Sequence, residues 1–185
     1  MSKKVVTGKV RGSYVNVFQP KMNDLSGNEE YSMMILIPKE DKETLTRLST
    51  AIKKAQSDKW GNKVPTNARN PLKNGNNEDD LPESARLGDE PYADHYFMNV
   101  KSKQKPGIVD KTRQAVLDPE DFMSGDYCRV ALGAYAYDQK GNRGVSFGLQ
   151  NIQVLGKGEP LGGRTRAEND FDDFIDKDSD DDGIF

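Results

Sequence analysis

From Val5 to Pro20 the chain alternates β-branched and aromatic residues with polar ones (VVTGKVRGSYVNVFQP). That pattern predicts one long strand, bent or bulged at Gly8 or Gly12. KMNDLSGN (21–28) reads as a turn, and EEYSMMILIPK (29–39) as a second strand ended by Pro38. Its later half is apolar at every position, which puts it at the centre of a sheet. In EDKETLTRLSTAIKKAQSDKW (40–60), Leu45, Leu48, Ile52 and Ala55 recur at helical spacing. Acids fill its first turn and Lys53, Lys54 and Lys59 lie near its end, as a helix dipole favours.

Periodicity then lapses. Residues 61–91 are rich in Asn, Gly, Pro and charge, and so long a stretch predicts an insertion laid over the body instead of a second domain. YFMNVKSKQK (96–105) is a strand broken at Pro106 and Gly107, and 108–126 is a short extended piece followed by a connector with one helical turn. YCRVALGAYAYDQ (127–139) and RGVSFGLQNIQVL (143–155) are two strong strands around a Lys-Gly-Asn turn. Five principal strands, one helix and long connections predict a mainly β, five-stranded Greek-key barrel, with the OB-fold as leading candidate. The expected organisation is a binding domain over 1–157, a Gly-rich linker over 158–167 and an acidic tail, expected to be disordered, over 168–185.

Within 127–139, Cys128, Val130, Leu132, Ala134 and Ala136 form a small apolar row suited to a barrel interior. Tyr127, Arg129, Ala131, Gly133, Tyr135 and Tyr137 form the opposite row. Tyrosines beside arginine on an outward face are what base stacking and phosphate neutralisation require. Phe97, Asn99, Lys101, Lys103 and Lys105 make a similar row, opposite Tyr96, Met98 and Val100. Tyr14 and Phe18 share a row in the first strand, with Lys9 and Arg11 on the other. The candidate nucleic-acid set is Tyr14, Phe18, Phe97, Lys101, Lys103, Lys105, Lys111, Arg113, Arg129, Tyr135, Tyr137 and Arg143.

The formal net charge is −3, but residues 168–185 hold nine acids and one base, which leaves the body with 26 bases and 21 acids. A mildly basic body with a strongly acidic tail suggests a polyanionic partner and a tail that imitates it. The tail, FDDFIDKDSDDDGIF, also carries apolar residues that a solubilising segment does not need. Asp172, Asp173, Phe174, Asp180, Asp181, Asp182 and Phe185 are its candidate partner-binding residues.

Other chemistries find little support. No run approaches the ~18 apolar residues of a membrane span, and the N-terminus has no signal-peptide pattern. The lone Cys128 fits a reducing cytoplasm. One cysteine and one histidine, His95, argue against a zinc site or a Cys–His pair. Asp178, Asp180, Asp182 and Gly183 begin like an EF-hand loop, but the chain lacks the later bidentate Glu. GKGEPLGG (156–163) lacks the Lys-Ser/Thr of a P-loop. The reading is therefore non-enzymatic, with no cofactor, no membrane partner and scope for self-association. A metal-dependent nuclease, which would have to use carboxylates such as Asp89, Glu90, Asp94 and Asp110, and a strand-annealing recombination protein are the rival readings.

The order and spacing of SYVNVFQP, YSMMILIPKEDKETL, KWGNKVP, KPGIVD, SGDYCRVALGAYAYDQKGNRGVSFGLQNIQ and GEPLGG resemble the phage-type single-stranded DNA-binding proteins, built on an OB-fold. The resemblance covers most of the chain. It implies a protein that coats transient single strands in phage replication, recombination or repair, in the cytoplasm of the bacterial host. Such proteins typically end in an acidic tail with a terminal aromatic, which implies recruitment of a DNA polymerase, helicase or other replication protein. One departure stands: the helix follows the second strand, where the commonest OB-fold has it after the third.

Overall fold

The computed structural model of the chain describes residues 3–161 and 170–175. The N-terminal apolar run forms two strands, β1 (Lys4–Val6) and β2 (Val10–Met22), because the chain bends around Gly8. A side chain there would start 2.7 Å from the Asp41 carboxylate. β3 (Glu29–Pro38) follows, and then α1 (Lys42–Trp60). Asp41 caps α1 by accepting a hydrogen bond from the Thr44 N–H at 3.1 Å. Leu48, Ala51, Ile52 and Ala55 are its buried stripe, with Leu45 only partly covered. The remaining strands are β4 (Lys73–Asn74), β5 (His95–Ser102), β6 (Gly107–Val109), β7 (Tyr127–Gln139) and β8 (Asn142–Gly156).

Five long strands close on themselves. β2 pairs with β3, β3 with β5, β7 with β8 and β7 again with β2, all antiparallel. β5 meets β8 in parallel at Lys101 and Gly148. This closed, mainly β ring with one helix is the expected OB-type barrel, and α1 lies between its second and third principal strands. Where β5 and β8 diverge, the inserted segment fills the gap. Lys73 and Asn74 pair with Phe97 and Tyr96 of β5. The Arg69 N–H donates to the Arg143 carbonyl at 2.9 Å, and the Arg69 carbonyl accepts from the Val145 N–H at 3.1 Å. Backbone groups that an open edge would leave to water are thus satisfied by the insertion.

Alternation sorts the side chains. Met33, Ile35 and Ile37 of β3 enter the main core with Met98, Val130, Leu132 and Phe147, and α1 adds its stripe to the same cluster. Met34 and Leu36 point to the opposite, outward face. There they form a second cluster with Phe97 and Tyr92, against which Leu81, Ala85 and Leu161 pack. Residues 76–94 therefore strap the middle of the outward face of β3 and β5.

The chain after β8 is fixed to the barrel through residue 161. Buried Asp126 accepts hydrogen bonds from the Met123 N–H (2.8 Å), the Lys157 ammonium (3.0 Å) and the Gly158 N–H (3.2 Å). Arg11 donates to the Glu159 carbonyl at 2.5 Å, and the Leu161 N–H donates to the Ser124 carbonyl at 3.2 Å. Gly125 permits this approach: its φ is +108°, and a side chain there would start 2.1 Å from the Glu159 carbonyl oxygen.

Candidate nucleic-acid interface

The ladder of β2 against β3 slips between Ser13 and Asn16, and Tyr14 in that bulge has φ +47°. A non-glycine residue in this region is uncommon, and a bulge re-aims side chains. Here it turns the Tyr14 ring outward, leaving it 54% exposed. The sequence reading allowed for a bend at Gly12; the irregularity lies just beyond it.

Tyr14 borders a hollow of about 390 Å³ on the outward face, with Ser32 of β3, Asn99 and Lys101 of β5 and Ser146 of β8. Register explains the grouping: Ser32 lies opposite Lys101, Lys101 opposite Gly148, and Ser146 opposite Tyr135. Tyr135 is 41% exposed and so stands beside the hollow as a second open ring. The Lys101 ammonium lies 3.8 Å from Glu30, a buried carboxylate that also accepts from Asn23 at 2.9 Å. At that distance Lys101 is weakly paired and its exposed head is available to an anion. The sequence reading placed Asn99 on the outward row without making it a candidate, and missed Ser32 and Ser146 as lining groups. Their signal is present: Ser32 and Asn99 are the polar positions inside the apolar runs YSMMILI and FMNV.

Other candidates lie elsewhere. Arg129 is exposed on β7, donates to the Thr7 carbonyl at 3.1 Å, and touches Gln153 at 3.5 Å. Gln153 in turn donates to the Asp110 and Lys111 carbonyls. This connects Arg129 to the turn bearing exposed Lys111 and Arg113. Hydrogen bonds from the Thr112 hydroxyl and the Gln114 N–H fix that turn and hold the Asp110 carboxyl below its usual range. Arg143 is engaged by Asp138 at 3.0 Å at the tip of the β7–β8 hairpin. Tyr137, half-buried, lies opposite Gly144, and its hydroxyl would touch any side chain placed there. β5 ends at Ser102, so exposed Lys103 and Lys105 follow the strand instead of continuing its row.

Two aromatic candidates are corrected. Phe97 is 2% exposed, within the second cluster, its ring centroid 5.1 Å from that of Tyr92 at an edge-on 66°. It does share the face of Lys101, but the strap covers it. Burial, and then the neighbouring Tyr14, push the Tyr92 phenol up to about 12. Phe18 is half-buried against the main core and lines a separate groove with Phe122, Met123 and Leu161, away from the Tyr14 hollow. In the tail, Asp172, Asp173 and Phe174 are exposed, Phe174 at 91%. Asp180, Asp181, Asp182 and Phe185 lie outside the described residues.

Residues 3–184 match the family model described as the ssDNA-binding protein of Enterobacter phage Enc34. Protein p50 of Acyrthosiphon pisum secondary endosymbiont phage 1 is 26% identical over 173 residues, covering 92% of this chain and 94% of that protein. The structure of the Enc34 single-stranded DNA-binding protein in complex with ssDNA superposes with a TM-score of 0.72 at 16% identity, over 86% of this chain and 90% of that one. That of gp2.5, a single-stranded DNA-binding protein encoded by bacteriophage T7, gives 0.61 at 13% identity, over 96% and 97%.

Proposed function

The chain belongs to the Enterobacter phage Enc34 ssDNA-binding family, a family of binding proteins and not of enzymes, and from that premise we propose that the Tyr14–Lys101–Tyr135 face holds the single strand. The observation that carries this reading is the convergence of an open ring, a weakly paired cation and three small polar side chains in one hollow, with a second open ring beside it. Each ring would stack on a base for about 1–3 kcal/mol, and every base has a face to offer. Lys101 would neutralise a phosphate, with the Arg129–Lys111–Arg113 cluster extending the positive field along the barrel. Ring stacking and phosphate neutralisation, the contacts these groups would make, carry no sequence code. Binding is therefore sequence-tolerant.

The test is a titration of labelled single strand and of duplex over a range of salt concentrations. Single-strand binding is expected to be the tighter, with log affinity falling linearly against log salt by about 0.7 for each neutralised phosphate. A flat salt response, or a preference for duplex, contradicts the reading.

In the cell this activity would protect and organise single strands during phage replication, recombination or repair, in the host cytoplasm. No helix among the described residues is long and apolar enough to cross a membrane. The acidic tail would compete for the groove in cis. Leu161, the last described residue before it, packs on the strapped face and borders a small hollow with Tyr14. Tethering gives an effective concentration of about millimolar. DNA would displace the tail, freeing Phe185 to anchor on a polymerase, helicase or other replication protein. Phe185→Ala is expected to impair recruitment and leave the salt slope nearly intact; recruitment at the native level would remove Phe185 as the anchor.

A further inference from the structure

The outward face continues past the strap. Beyond it, where β2, the end of β3 and the start of α1 converge, lies a second hollow of about 650 Å³. Four cations line it: Lys9, Arg11, Lys39 and Lys42, against the carboxylates of Glu40 and Asp94. Gathering like charges around one concavity is unfavourable in the free protein unless something else is gained. Lys9 and Lys42 are exposed, and neither forms an ion pair among the described residues. Lys42 is moreover the first residue of α1, where the helix dipole disfavours a cation. Arg11 and Lys39 are partly committed, Arg11 to the Gly125 and Glu159 carbonyls and Lys39 to Asn76 of the strap.

An aromatic ring completes the hollow. Tyr127 of β7 has the Lys9 ammonium 4.5 Å from its ring centroid and the Arg11 guanidinium carbon at 5.8 Å. A ring flanked by cations can offer a base a stacking surface while the cations meet the adjoining phosphates. This hollow also shares a surface with the first. Arg11 lies opposite both Leu36 and Tyr127, and Ser13 opposite Met34, along the outward face that leads to Tyr14. Along β3 the first hollow is lined by Glu30, Ser32 and Met33 and the second by Leu36 and Pro38. At about 3.3 Å per residue the two hollows together span roughly 26 Å of the strand, from Glu30 to Pro38. Such a span suits the ~4–16 nucleotides that one barrel of this type engages.

We propose that the Lys9–Lys42–Tyr127 hollow is a second contact for the phosphodiester backbone of the same single strand, which crosses the strap between the two hollows. The inference rests on the reading of the Tyr14–Lys101–Tyr135 face as the DNA interface. The chain's own acidic tail offers an anion to the same cations, so the experiment separates the two sources.

The Lys9→Ala/Lys42→Ala double variant of the full chain is titrated with a fluorescein-labelled 15-nucleotide oligothymidylate, beside Lys9→Arg/Lys42→Arg and Tyr14→Ala/Tyr135→Ala. The alanine pair is expected to bind about tenfold more weakly, with the log–log salt slope reduced by about 1.4, the release expected for two phosphates. The arginine pair, which keeps the charge, is expected to bind like the native chain. Both lysines are exposed, so the melting temperature is expected to stay near native, and a weakened arginine pair would assign the loss to structure and overturn the proposal. Unchanged affinity of the alanine pair overturns it, while weakening by Tyr14→Ala/Tyr135→Ala still upholds the first hollow. Tighter binding of the alanine pair at low salt also overturns it, because the hollow then serves the tail.

Discussion

Replacing Phe97 by Ala separates a core role from a stacking role at the residue where sequence and structure disagree most. The ring is 2% exposed, packed against Met34, Leu36 and Tyr92, with an edge-on contact to Tyr92 at 5.1 Å. Truncating a buried phenylalanine costs about 3–5 kcal/mol, which includes the loss of the ring pair. The lower end applies here, because Leu81 and Ala85 of the strap are only partly buried and can settle into the space. About 3 kcal/mol is a large share of the ~5–15 kcal/mol that stabilises a typical domain. It corresponds to a fall in melting temperature of roughly 6–12 °C for a domain of this size. Urea unfolding followed by the fluorescence of Trp60, the only tryptophan, measures the loss. A variant of native stability that has lost single-strand affinity would refute the core assignment and return Phe97 to the interface.

Asp126→Ala leaves the Met123 and Gly158 N–H groups unpaired, so it is expected to cost about 1–3 kcal/mol and to make the 157–161 segment a protease target, read by limited proteolysis. Burial, and then Asp126, push the Cys128 thiol up to about 12; alkylation by iodoacetamide at pH 8 is therefore expected only as fast as the chain unfolds, and rapid labelling of native protein would contradict the buried position. The raised Tyr92 phenol favours the neutral form in the folded chain, so its contribution is complete below pH 10 and is lost as pH rises towards 12. Tyr92→Phe is expected to remove that part of the alkaline loss, measured as melting temperature against pH.

Much of the fold is legible in residue order because its determinants are local. Leu48, Ile52 and Ala55 mark α1 by spacing, and the alternation of Cys128, Val130, Leu132 and Ala134 against Arg129 and Tyr135 assigns both faces of β7. The site is legible only in part, because outward and exposed are different properties. Phe97 does lie on the outward row with Lys101, yet Tyr92, close in sequence but brought over it by the strap, closes water out. Row membership cannot report such a cover. Nor does composition announce a positive φ at a tyrosine, which depends on the slip of β2 against β3. The basic hollow escaped for a related reason: Lys39 and Lys42 flank the turn into α1, and only the folded barrel brings Lys9, which precedes β2, and Tyr127 of β7 to the same rim.

The most direct test of the central claim is the single-strand affinity of the full chain carrying Tyr14→Ala, Lys101→Met and Tyr135→Ala together, at two salt concentrations. All three side chains are exposed, and methionine keeps most of the lysine stem, so the melting temperature is expected to remain near native. Loss of the two stacking rings alone predicts binding weaker by about 2–6 kcal/mol, and loss of one phosphate contact a salt slope lower by about 0.7. A folded triple variant with native affinity and native slope would place the DNA elsewhere on the barrel.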